Sequence, residues 1–158
     1  MATAKKVEGI SPKHSLRESA QRIIITRFGE MISYKGGAMD GTDIEYVHDM
    51  RVSSRRLRAA MHNFADCFRP KKTFRAHLKQ VEKITSVMGD VRDFDVLIDK
   101  FKKDLARLSD LEQISVKKLI DHLKTEREIK RQPMIEMFNN LDNSGFAIQF
   151  LGFFSNQF

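Results

Sequence analysis

The sequence predicts an all-α fold: an antiparallel helical bundle of four long helices plus a short C-terminal helix. Three observations carry that expectation. Apolar residues recur three and four apart along most of the chain, the interruptions fall at Gly, Pro and Ser/Asp clusters, and no stretch alternates apolar and polar residues at the period of a strand. At 158 residues, 41% of them apolar, the chain is long enough to bury one core. Residues 1–12 read as a flexible polar lead ending at Pro12, and residues 13–158 as the bundle.

The first helix opens near Ser15, where Ser15 and Glu18 have the spacing of a capping box. KGGAMDGTD, residues 35–43, interrupts the pattern with three glycines, and Thr42 or Asp43 is placed to cap the second helix. That helix runs to Phe68 and stops at Pro70. The third begins near Lys72 with Phe74, Leu78, Val81, Ile84 and Met88 on one face. Gly89 should break or kink it, with Asp90 capping a continuation through Leu108. The fourth runs from about Asp110 to Leu141, with a seam of Val116, Ile120, Leu123, Arg127, Lys130, Met134, Met137 and Leu141. Pro133 is expected to kink it. The last segment, SGFAIQFLGFFSNQF, is short and so apolar that it must bury itself on the bundle or on another chain.

The stretch most informative about function is VHDMRVSSRRLRAAMHNF, residues 47–64. At about 100° per residue, His48, Arg51, Arg55, Arg58 and His62 fall within an arc of about 80°. Met50, Leu57, Met61, Phe64 and Phe68 fill the adjoining arc, so the cationic stripe borders the buried face. Such a stripe can line a groove between helices. The same spacing equally allows a solvated basic face whose long side chains lie over the core. The two cations in the later seam, with Arg131 beside them, pose a related choice. Either acidic side chains meet them, or the bundle holds a wet, positive slot that an anion fills.

Net charge of +7 and a sequence pI near 9.6 attract polyanions: nucleic acid, inorganic polyphosphate or anionic headgroups. Cys67 is the only cysteine. It allows no internal disulfide framework or Cys-based zinc site and fits a reducing cytosol. No apolar run approaches the ~18 residues of a membrane span, so a soluble cytoplasmic protein is expected. Glu45 and His48 form a Glu-x-x-His pair, but without a second copy it does not predict a metal centre. There is no Walker loop, Gly-x-Ser-x-Gly elbow or dinucleotide fingerprint. Neither an enzyme nor a cofactor is predicted.

His48-Asp-Met-Arg51-Val-Ser-Ser-Arg55-Arg56-Leu-Arg58, followed by Met88-Gly89-Asp-Val-Arg92-Asp93-Phe-Asp95-Val96, resembles the CHAD family, whose name denotes a conserved-histidine α-helical domain. The likeness extends more loosely to the basic segment around Arg127 and Arg131 and to LDNSGF at Leu141 to Phe146. It implies a helical fold whose basic residues line a channel that binds inorganic polyphosphate, and association with polyphosphate granules. On this resemblance the polyphosphate-binding roles fall to His48, Arg51, Arg55, Arg58, Arg127 and Arg131, and more weakly to Arg27, Lys79, Lys83 and Lys130. Arg92, Asp93 and Asp95 carry the Arg-Asp motif, assigned to architecture. Arg56 points elsewhere on its helix and is expected to pair with an acid. A nucleic-acid-binding module, or an accessory protein of phosphate processing, is the alternative. Family domains resemble two four-helix halves about an approximate twofold, and this chain matches the first half. A homodimer that rebuilds the pair is therefore expected, with Phe146, Phe150, Phe153, Phe154 and Phe158 burying the junction.

Overall fold

In the computed structural model, which describes residues 3–156, the chain is all helical. The long helices are α1 (Leu16–Ser33), α3 (Glu45–Asn63), α4 (Lys71–Asp104) and α5 (Asp110–Asn143). A six-residue helix, α2 (Lys35–Asp40), sits in the glycine-rich interruption, and α6 (Phe146–Ser155) closes the described chain. Packing follows chain order: α1 on α3, α3 on α4, α4 on α5, with α6 returning to α1 and α5. Short connections between long helices make neighbours antiparallel.

The ends of the helices explain their starts. The Ser15 hydroxyl accepts from Glu18 N–H at 3.2 Å, and the Glu18 carboxylate accepts from Ser15 N–H at 2.6 Å. The expected capping box is therefore formed. Ser109 and Glu112 form a second one at the start of α5. At α3 the cap differs from the expected pattern. Asp43 accepts from Glu45 N–H at 2.9 Å, whereas Thr42 turns to Asp40.

Neither Gly89 nor Pro133 ends its helix. α4 passes through Gly89 and Asp90 without a break, and α5 is one helix across Pro133. Pro133 is exposed, so its ring, which has no N–H to donate, faces solvent instead of a packed neighbour. The α5 seam is also displaced. Its buried members are Ile120, Arg127, Arg131, Met134 and Phe138, and Lys130 is exposed.

The core is built from α1, α3, α4, the Met134/Phe138 face of α5 and the face of α6. Phe28 stacks on Phe150 with centroids 4.1 Å apart, and Phe154 meets Phe68 edge-on at 4.9 Å. Phe146, Phe150 and Phe154 recur at i, i+4, i+8 and are all buried within this one chain. That corrects the expectation that they bury a junction with a second copy: their apolar area is already withdrawn from water, at about 1.5–3 kcal/mol per large side chain. Phe153 is half-buried against the ring of His77 at 5.3 Å, and Phe158 lies outside the described residues.

His77 is buried among those rings, 5.4 Å from Phe150 and 5.9 Å from Phe146. Burial lowers its pKa from the usual 6.5 because the imidazolium would lose its hydration. The unfolded chain therefore binds this proton more readily than the folded one. Its contribution is complete above the unfolded pKa and is lost as pH falls below it. Urea unfolding at about pH 7.5 and about pH 5 should show a fall in stability that is smaller in His77→Leu than in the parent chain.

Candidate anion-binding groove

α3 approaches α4 on small side chains. Ser53 and Ser54 are fully buried, and the Thr85 hydroxyl lies 2.9 Å from that of Ser54. Ser54 in turn donates to the Arg51 carbonyl at 2.8 Å. Opposite Arg51 stands Gly89, where an added Cβ would come within 3.4 Å of Arg51 Nε. A glycine inside a helix costs about 1 kcal/mol relative to alanine, and an added methyl here would make only ordinary van der Waals contact with the guanidinium. The helices meet closely along their buried edge, and the long residues of α3 lie along the rim.

Two adjoining grooves follow that rim. One, of about 470 Å³, is bounded by Arg51, Arg55 and Arg58 on α3 and by Thr85, Ser86, Asp90 and Asp93 on α4. The other, of about 630 Å³, adds Arg56 and His62 to Arg55 and Arg58. Glu82 borders both, and it faces His62 at 3.5 Å. Among the described residues, no salt bridge engages the guanidinium of Arg51, Arg55 or Arg58, and Arg51 Nε is buried without an acceptor. These three cations of the predicted stripe are therefore brought together and left unneutralised by direct pairing. The surface is an open groove of one chain instead of the enclosed channel expected from the resemblance. Its α4 wall carries the carboxylates of Glu82, Asp90 and Asp93.

The other predicted site residues lie elsewhere. His48 lines neither groove. Its ring nitrogen and the carboxylates of Glu45 and Asp49 lie within 4.8 Å of one another, the one group among the described residues with donors spaced for a metal ion. Arg92 meets Glu45 at 3.7 Å, and Asp93 is exposed on the groove wall. Arg27 donates to Glu30 at 2.7 Å and to the Lys5 carbonyl at 2.9 Å. Arg56 pairs with the same Glu30 at 3.2 Å, as its outward position suggested. Glu30 is fully buried between them, and the sequence reading missed it. Lys79 and Lys130 are exposed away from the grooves, and Lys83 borders a different hollow beside Pro133 and Glu136.

Arg127 and Arg131 also leave the predicted site, for a physical reason. Both are buried. Arg127 Nε donates to Asp95, and its Nη1 to Glu128 at 3.1 Å. Arg131 donates to Glu128 at 2.8 Å and to the Met39 carbonyl at 2.9 Å, lying against Gly41, whose φ of 76° leaves no room for a side chain. A buried cation needs a partner, and acidic side chains supply it here instead of an anion in a slot. Burial pushes the Asp95 carboxyl up, with Arg127 pulling against it.

An all-helical domain with an arginine-lined groove between its second and third long helices is the class defined by this geometry. The family model described as CHAD domain matches residues 22–147, and the chain belongs to that family. Comparison with curated proteins finds no match, and comparison with solved structures finds none. No helix among the described residues is long and apolar enough to cross a membrane.

Removing one half of a buried ion pair strands the other charge. Arg127→Met should cost about 3–5 kcal/mol in urea unfolding, and Asp95→Leu added to it should recover most of that loss.

Proposed function

We propose that the chain binds inorganic polyphosphate along the α3/α4 groove and does no chemistry on it. One observation carries this reading: Arg51, Arg55 and Arg58 share the groove, and among the described residues no carboxylate is engaged to any of them. Guanidinium groups offer forked, charge-assisted hydrogen bonds to phosphate oxygens. Their spacing of about one helical turn suits a linear polyanion that repeats the same charged group. Family membership supports the same ligand and, through it, association with polyphosphate granules in the cytoplasm.

The α4 wall sets the limits of this grip. Asp90 and Asp93 repel an anion lying against Arg51, so they weaken binding and favour ligands dense enough in charge to prevail. Nucleic acid is the rival polyanion. Sequence-tolerant binding of single strands uses aromatic platforms, and the groove walls contain no Phe, Tyr or Trp.

Arg51→Ala combined with Arg55→Ala should weaken long-chain polyphosphate at least about tenfold and reduce the slope of log affinity against log salt by about 2. Asp90→Asn with Asp93→Asn should strengthen it. Competition at matched phosphate and salt should favour polyphosphate over DNA and RNA, with no phosphate released in the presence of magnesium. Unchanged affinity in the double arginine variant would refute the groove.

A further inference from the structure

A cleft of about 570 Å³ lies between α4 and α6, bounded at one end by the close of α5. α6 rests on α1 and α5 and reaches α4 through ring contacts, Phe154 on Phe74 at 5.9 Å and Phe150 and Phe153 on His77. The 7% of His77 that remains exposed opens on this cleft. Among the described residues its imidazole has no hydrogen-bond partner, and neither ring nitrogen is sealed from the surface. A neutral imidazole donates from one nitrogen and accepts at the other, and burial favours the neutral ring here. Gly152 borders the same cleft, and a Cβ added there would meet nothing within 4 Å. Glycine weakens a helix interior, and no neighbour crowds this one.

Charge narrows the choice of occupant. Charged residues make up 31% of the sequence, yet no Asp, Glu, Lys or Arg lines this cleft. An ion entering it would give up water with no countercharge to replace it. The walls present Phe146, Phe153 and Leu141 to a ligand, and flat rings pack well edge-on or offset against phenylalanine. The volume falls within the range of about 300–1,000 Å³ usual for small-molecule sites. From the unpartnered His77 and its uncharged surroundings we infer that the cleft binds a small neutral aromatic molecule carrying a hydroxyl, phenol being the simplest. The ring lies against Phe146 and Phe153, and the hydroxyl, which both donates and accepts, serves either nitrogen of His77. This site shares no residue with the arginine grooves and stands whether or not they hold polyphosphate.

The test follows the His77 ring resonances of the full chain as 2-naphthol is added, and then 2-naphthoate, which has the same rings and a negative charge. Naphthol should shift them saturably, with one site per chain, and naphthoate should be weaker there by at least about tenfold although the chain carries net positive charge. Gly152→Leu puts a side chain into the cleft. It should weaken naphthol at least about tenfold in a chain that melts no lower than the parent. Arg51→Ala with Arg55→Ala should leave the naphthol titration in place. No saturable shift at His77, equal affinity for naphthoate, or unchanged affinity in Gly152→Leu would each overturn the site. Shifts at His77 on concentrating the chain alone, with a doubled mass, would give the cleft to a second copy and overturn it as well.

Discussion

The close seam between α3 and α4 is the constraint on which the rest of the molecule depends. Ser53, Ser54 and Thr85 are small and buried, and the Ser54 and Thr85 hydroxyls meet at 2.9 Å across the contact, with Gly89 facing the Arg51 side chain further along. Larger residues would separate the two helices, and the apolar positions Met50, Leu57, Val81, Ile84 and Met88 would lose part of their burial. The same closeness decides where the arginines go. Arg51, Arg55 and Arg58 begin at the edge of the seam, cannot enter it, and extend along its rim. Packing of the core and exposure of the cations are thus two results of one choice of small residues.

The molecule treats its arginines in two ways. Arg27 and Arg56 converge on the fully buried Glu30, and Arg127 and Arg131 are held by Asp95, Glu128 and the Met39 carbonyl. These are internal cross-links, tying α1 to α3 and α5 to α4 and the end of α2. Arg56–Glu30, Arg127–Asp95 and Arg131–Met39 join elements far apart in sequence, and a buried pair is costly to half-remove. Arg51, Arg55 and Arg58 of the α3 stripe have no such partners among the described residues. A basic composition therefore overstates the number of cations free to meet a ligand, and the ion-pair geometry separates the two sets.

Much of this was legible in the sequence, and the failures have identifiable causes. The Ser15/Glu18 box, the helical period and the α3 stripe rest on local spacing, which the fold preserves. The α5 seam was misplaced because a strict heptad repeat drifts by about 20° per heptad against a straight helix. Over 34 residues that drift carries Lys130 out and Arg131 in. Glycine weakens a helix in isolation, yet α4 is continuous through Gly89 because its flanking turns are packed, and Gly89 faces the Arg51 side chain. Glu30 was invisible because a buried carboxylate looks like any surface acid until its partners, one of them 26 residues away, are brought to it. Expecting the phenylalanines of α6 to bury a junction with a second chain goes astray because periodicity shows only that a face is apolar, and the path of α6 back to α1 covers Phe146, Phe150 and Phe154 within one chain.

Resonances of the arginine Nε–Hε groups, followed as polyphosphate is added, test the central claim most directly. Signals of Arg51, Arg55 and Arg58 should move together and saturate at one ligand concentration, with those of Arg27 and Arg131 unmoved, because among the described residues no salt bridge engages the former. Movement of the ion-paired arginines with the α3 stripe silent would contradict the account.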